Sequence, residues 1–190
     1  MKEYEQKIFL SKDEYFALLE LYDNSFEARN KIVVNHINHY YDNEKFSLYN
    51  SKETLRVRQI GEELVLQQKT NKKYINSIRS CDECELSLDY LPSRIQIKDD
   101  LYDYIGCMFT IRRNFSHENI LVSLDENIYL GVVDYELEIE GETIADIESY
   151  IHKLNHLAVL INVSTNFRGK YSRFIHALNS IKGIYKCNFI

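Results

Sequence analysis

Several stretches of this sequence alternate charged with apolar or small residues, and within each stretch the charges have one sign. Arg56 and Arg58 share a face, with Leu55 and Val57 on the other side. Glu3 and Glu5 share a face, as do Glu83 and Glu85. Glu136, Glu138 and Glu140 make a row of three backed by Tyr135, Leu137 and Ile139. Successive strand side chains point to opposite faces, so each set is a one-sided row. Like charges two residues apart lie about 7 Å from each other and repel by only a fraction of a kcal/mol at high dielectric. One such pair is what any solvated strand face looks like. Several acidic rows and one strongly basic row in a single short chain constrain the fold more tightly. If the strands close into a barrel with these faces inward, the apolar backs pack against helices and loops outside. The lumen then has to hold water, metal and an anion, the inverse of the usual small barrel with its apolar filling.

The rest of the pattern supplies the strands. Residues 2–9 alternate, with Tyr4, Gln6 and Ile8 opposite Glu3, Glu5 and Lys7. Further strands are predicted near 32–42, 54–60, 63–70, 78–88, 107–116, 119–125 and 131–140, with a tight turn at Gly61. Ser11 followed by Glu14 reads as a capping box, starting a helix whose apolar face holds Phe16 and Leu19, with Leu18 and Tyr22 as further candidates. A short helix is predicted over Asp99–Ile105. A longer one runs from Thr143, capped with Asp146, to about Leu160, with Ile144, Ile147, Ile151, Leu154 and Leu157 at helical spacing. A last helix covers Tyr171–Ser180. Residues 1–190 read as one α+β domain, mostly strand.

Composition narrows the function classes. The formal net charge of −6 argues against a nucleic-acid binder, yet a local basic pocket can sit inside an acidic protein. The charged start, Met1-Lys2-Glu3-Tyr4-Glu5, lacks an apolar leader, and no run of 18 apolar residues occurs, so a cytoplasmic location without membrane contact is expected. Cys81 and Cys84 form C-x-x-C without the second pair a zinc ribbon needs, and are read as structural or incidental thiols. His36 and His39 lie three apart, so a strand turns them to opposite faces and a structural role is expected. There is no G-x-x-x-x-G-K-[ST] loop, no H-E-x-x-H and no G-x-S-x-G.

These residues resemble the CYTH family, the triphosphate tunnel metalloenzymes. Glu3-Tyr4-Glu5-Gln6-Lys7 is similar to the E-x-E-x-K signature that opens its members. His39-Tyr40-Tyr41-Asp42, Leu55-Arg56-Val57-Arg58, Lys69, the Glu83/Glu85 strand, Arg112 or Arg113, Asp125 and Glu136-Leu137-Glu138 follow in order. Lys170-Tyr171-Ser172-Arg173 resembles the closing basic motif. The resemblance implies a closed eight-stranded antiparallel β-barrel with helices packed outside, and cleavage or rearrangement of triphosphates with Mg²⁺ or Mn²⁺. It implies Glu3, Glu5, Glu136, Glu138 and Asp125 as metal ligands. Lys7, Arg56, Arg58, Lys69, Arg79, Arg112, Arg113, Lys170 and Arg173 would meet phosphate oxygens, and Glu5, Lys7, Arg56 and Arg58 would form the catalytic set. Two positions depart from the family pattern. Cys81 stands where an Arg is common, with Arg79 at the same parity as a substitute, and Thr110 or Ile111 stands where a Lys is common.

Arg suits bidentate contact with phosphate oxygens, and carboxylates suit hard divalent cations. Phosphoryl transfer asks a protein mostly for positioning and charge neutralisation. The leading expectation is therefore a metal-dependent triphosphatase acting on inorganic tripolyphosphate or a related organic triphosphate, as a monomer or homodimer. A class IV-type adenylate cyclase, a thiamine triphosphatase and a non-catalytic polyphosphate or nucleotide-binding module are the alternatives. Glu140, next to Gly141, reads as a solvated strand end.

Overall fold

The computed structural model describes residues 2–24, 29–75, 78–117, 119–156 and 168–181. In chain order it contains β1 (Lys2–Leu10), α1 (Lys12–Asn24), β2 (Arg29–Asp42), α2 (Ser47–Asn50), β3 (Thr54–Ile60), β4 (Glu63–Ile75) and β5 (Ile78–Leu88). These are followed by β6 (Arg94–Ile97), β7 (Asp100–His117), β8 (Ile120–Tyr129), β9 (Val132–Gly141), α3 (Ile144–His156) and α4 (Lys170–Ile181). The strands hydrogen-bond in the order β2-β3-β4-β5-β1-β9-β8-β7-β6, all antiparallel, and β2 also pairs with β7. That last ladder closes eight strands into a barrel, and β6 extends β7 beyond the closure. No helix among the described residues is long and apolar enough to cross a membrane.

The apolar backs of the strands face outward, as the alternation requires. Ile8, Leu10, Phe115, Val122, Leu124, Leu137 and Ile139 form one core with Tyr15, Leu18 and Tyr22 of α1 and Ile147, Tyr150 and Leu154 of α3. Each such aliphatic side chain contributes about 1.5–3 kcal/mol by leaving water. On the opposite side of the barrel, Tyr41, Leu55 and Val57 pack with Leu48, Ile95 and Tyr102. A third cluster sits at one barrel end, where Tyr171, Phe174 and Ile175 of α4 meet Tyr40, Met108 and Tyr129. Gly106 makes this possible. It has φ +134°, and a Cβ there would lie 2.7 Å from Cζ of Phe174.

Both helix starts follow the sequence signals. Ser11 Oγ accepts the Glu14 N–H at 3.2 Å, and the Ser11 N–H donates to Glu14 Oε2 at 2.7 Å. Thr143 Oγ1 accepts the Asp146 N–H at 3.2 Å. The buried face of α1 differs from expectation. Tyr15, Leu18 and Tyr22 are covered, Leu19 is partly covered, and Phe16 stays 48% exposed, because α1 lies over β9 with the Tyr15 ring tilted against Tyr135 at 4.7 Å. Residues 157–160 of the helix predicted from Thr143 lie outside the described residues.

The short helix predicted over Asp99–Ile105 is instead a strand. Ile97 pairs with Asp100 and Ile95 with Tyr102, around a turn in which Lys98 has φ +54°. Burying Ile95 and Tyr102 against the β2–β3 wall outweighs the weak helical signal of Asp99. One further irregularity bears on the lumen. Between Thr70 and Lys73, β4 carries an extra residue against β5, with Asn71 at φ +49°. The bulge reverses the alternation, so Lys72 and Tyr74 line the interior and Lys73 does not.

Candidate active site in the barrel lumen

The register explains why charge is sorted by sign along each strand. On several strands charges of opposite sign are laid side by side, so repulsion along those strands is answered by attraction across them. Lys7 of β1 stands opposite Glu138 of β9, and Glu5 stands between Arg79 and Glu140. Lys69 of β4 faces Glu83 of β5, and Arg112 of β7 faces Asp125 of β8. All of these point inward. They line a cavity of about 1340 Å³ together with Arg56, Arg58, Gln67, Lys72 and Glu85, and Lys170 of α4 reaches it from the barrel end; Asp125 lies buried behind Arg112.

One wall is internally neutralised. Arg112 donates to Asp125 at 2.8 and 2.6 Å and to Glu138 at 2.5 Å. Lys170 Nζ lies 2.6 Å from Asp125 and 2.7 Å from Glu138, and it also contacts Glu136. Arg173 pairs with Asp134 and Glu136, both at 2.8 Å. Lys7 contacts Glu138 and sits 3.1 Å from Glu5, which is also paired with Arg79. Burial alone would raise the Asp125 carboxyl, but Lys170 and Arg112 beside it hold it down at about 2. For Glu138 burial again pushes upward, and Arg112 and Lys7 hold it well below the usual carboxylate range.

The other wall is not. Arg56 Nε donates to the amide oxygen of Gln67 at 2.7 Å, and Arg58 Nε donates to Asn38 Oδ1 at 3.4 Å. Among the described residues no carboxylate is in ion-pair contact with either arginine, and nothing accepts from their Nη nitrogens. Burial, with Arg56 and Arg112 nearby, pushes the Arg58 guanidinium down to about 9, a sign that its charge is poorly compensated. Burial and the Arg58 and Arg112 charges likewise drive the His36 ring down to about 2, so it is neutral at ordinary pH. Two guanidinium forks without carboxylate partners among the described residues form an anion-binding surface in this sheltered space.

Two groups of three carboxylates each bring oxygens within 4.8 Å of one another: Glu5, Glu138 and Glu140, and Asp125, Glu136 and Glu138. Hard oxygen donors converging from adjacent strands suit a hard divalent cation. Lys170 sits among the second group, so an ion there would have to compete with its ammonium.

Most of the sequence-predicted residues meet in this lumen: Glu5, Lys7, Arg56, Arg58, Lys69, Arg79, Arg112, Glu138 and Lys170 line the cavity, while Asp125, Glu136 and Arg173 join them through ion pairs. Arg113 does not. Its guanidinium bonds the Tyr15 hydroxyl outside the barrel wall, under α1, because strand alternation turns it away from Arg112. Glu3 lies in β1, and its side chain is outside the described residues. Glu140, read as a solvated end, lines the cavity with Glu5 and Glu138. His36 and His39 do face opposite ways: His36 is enclosed with the lumen cations, while His39 bonds Gln59 at 3.0 Å and packs on Tyr104. Gln67, Asn38 and Asp134 were missed. Each was findable by parity, since Gln67 precedes Lys69 by two and Asp134 precedes Glu136 by two. Lys72 and Tyr74 were not findable that way, because the bulge inverts their faces.

Known proteins share this architecture. A curated relative from Bacillus subtilis (strain 168), "Putative triphosphatase YjbK", is 26% identical over 73% of this chain and 77% of its own length. The solved structure of a "putative adenylate cyclase" from Bacillus halodurans superposes with TM-score 0.70 at 22% identity, over 91% of this chain and 98% of the other. That of HpAC1 from Hippeastrum, described as a "putative adenylyl cyclase" with a dominant triphosphatase activity, has TM-score 0.75 at 19% identity, over 92% and 95%. The two structural likenesses speak to the fold. The profile described as the CYTH domain matches residues 1–166, and with that match over most of its length the chain belongs to the CYTH-domain family.

Proposed function

We propose that this protein is a metal-dependent triphosphatase that cleaves a phosphoanhydride bond of inorganic tripolyphosphate, or of a related organic triphosphate, inside the barrel. The observation that carries this is the pairing of Arg56 and Arg58, without carboxylate partners among the described residues, with converging carboxylates in the same lumen. The names of YjbK and HpAC1 support the same reading.

In this reading Arg56 and Arg58 grip phosphate oxygens through their Nη forks, with Lys69 beside them. Lys7 and Arg79 lie next to Glu5 and hold the phosphate chain against the carboxylate wall. Glu5, Glu138 and Glu140, and Asp125 and Glu136 when Lys170 gives way, are the residues that would hold Mg²⁺ or Mn²⁺. The bound ion supplies charge neutralisation and a more acidic attacking water. The protein's part is to align the chain and shelter it from bulk water.

The test is product analysis. Purified protein with Mg²⁺ or Mn²⁺ should release phosphate from tripolyphosphate. Pyrophosphate and cyclic AMP from ATP, without phosphate from tripolyphosphate, would replace this reading with a cyclase. Full turnover by an Arg56→Ala, Glu138→Ala double variant would rule out the mechanism.

A further inference from the structure

Three strands in one layer set up a contrast that the family resemblance does not explain. Arg56 of β3, Gln67 of β4 and Glu85 of β5 are direct cross-strand neighbours. Gln67 Oε1 accepts from Arg56 Nε at 2.7 Å, and Gln67 Nε2 donates to Glu85 Oε1 at 2.5 Å. In the adjacent layer the middle position is Lys69, which pairs directly with Glu83 at 2.8 Å. A cation next to the acidic row of β5 is therefore neutralised by it. Arg56 stands one strand further away, with a buried amide between.

An amide is suited to this place. Its oxygen satisfies one arginine donor without cancelling the charge, and its NH₂ satisfies the glutamate. Because Nε is the atom held, the two Nη nitrogens are turned toward the cavity. Asn38 offers the same type of contact to Arg58, at the longer distance of 3.4 Å. A glutamate at either place would accept the same hydrogen bond and remove the net charge a phosphate needs.

We propose that Gln67 is a positioning residue that fixes the Arg56 guanidinium by its Nε and shields it from Glu85, so that an undiminished positive charge faces the lumen. This rests on the assignment of Arg56 to phosphate binding.

The exchange Gln67→Glu with Glu85→Gln tests it, because composition, net charge and hydrogen-bond pattern are kept while the carboxylate moves one strand closer to Arg56. Affinity is read from the tripolyphosphate concentration needed to raise the melting temperature, with Mg²⁺ and in EDTA, at several salt concentrations. The exchanged protein is expected to melt at or above the wild type when unliganded, since Arg56 gains a carboxylate partner, and to bind tripolyphosphate about ten-fold more weakly, the size of one charge-assisted contact. It should also show a shallower salt dependence, which a purely structural role would not produce. Glu85→Gln alone should bind at least as well as wild type. Should the exchange not fold, Gln67→Met keeps the charge and releases Nε, and is expected to bind about three-fold more weakly, a fraction of that same contact. Wild-type affinity in the exchanged protein, or in Gln67→Met where the exchange does not fold, overturns the positioning role, provided that Arg56→Met binds poorly. Wild-type affinity in Arg56→Met, or no binding by the wild type, overturns the phosphate assignment and this inference with it.

Discussion

The two charged walls of the barrel solve the cost of buried charge in opposite ways. On the wall built by β1, β7, β8, β9 and α4, each cation touches at least one carboxylate, and Lys170 touches three. On the β3 wall, Arg56 and Arg58 lean on neutral amides. The first wall is neutralised by its own ion pairs. The second keeps an unmet demand for negative charge. A lumen neutralised throughout would have no reason to take up an anion, and one bare throughout would oppose its own folding. The division lets one set of strands hold the barrel while the other waits for a substrate.

The comparison breaks first at Glu138. Glu138→Gln leaves Lys7, Arg112 and Lys170 short of one buried carboxylate, which should cost about 3–5 kcal/mol in denaturant unfolding. If Glu138 also holds metal, phosphate release should fall by at least about 100-fold, beyond the loss usual for a residue that merely supports a ligand. Next comes a difference of sign. Lys170→Met on the paired wall takes from Asp125, Glu136 and Glu138 a cation that all three share and should lower the unliganded melting temperature, by roughly 3 kcal/mol of stability. Arg58→Met on the bare wall removes an uncompensated buried charge and should raise it, while shrinking the stabilisation of about 2.7 kcal/mol expected from tripolyphosphate at one hundred times its dissociation constant. Melting temperatures that drop equally in both variants would erase the distinction between the walls.

A smaller effect concerns pH. The His36 ring is held at about 2 in the folded protein, below its unfolded value. The unfolded state then binds the extra proton first, so this contribution is complete above about pH 6.5 and is lost as pH falls. Between pH 6.5 and pH 5 the loss should approach about 2 kcal/mol. His36→Asn should flatten the acid limb of stability against pH relative to wild type, and an unchanged limb would contradict the burial of the neutral ring among cations. The smallest effect is expected outside the barrel. Arg94 and Asp103 pair at 2.5 Å, but their side chains are 56% and 48% exposed, and Asp103→Asn should leave the melting temperature unmoved.

Alternation made most of the barrel readable. Residues 55–58 alternate apolar and charged without interruption, and strand and face are both legible there. The same parity joined Glu5, Lys7, Glu136 and Glu138 to one interior. It failed where the backbone departs from a plain strand, at the bulge near Asn71 and at the Lys98 turn, since each depends on pairing with a distant segment. Adjacent Arg112 and Arg113 could not be told apart locally, because either is compatible with a strand. Only the Tyr15 hydroxyl outside and Asp125 inside decide between them. The split between paired and unpaired cations was equally out of reach, because it is set by which strands are neighbours.

Gly106 gives this arrangement an indirect handle. Phe174 sits directly over it, and the same helix begins at Lys170, whose ammonium reaches Asp125, Glu136 and Glu138. The seat of the helix that delivers that ammonium thus includes a glycine that carries no charge and stands apart from the acidic cluster. An alanine at 106 would have to push the Phe174 ring aside and hold a φ of +134° that L side chains rarely adopt, so an uncharged position presses on the helix that carries Lys170.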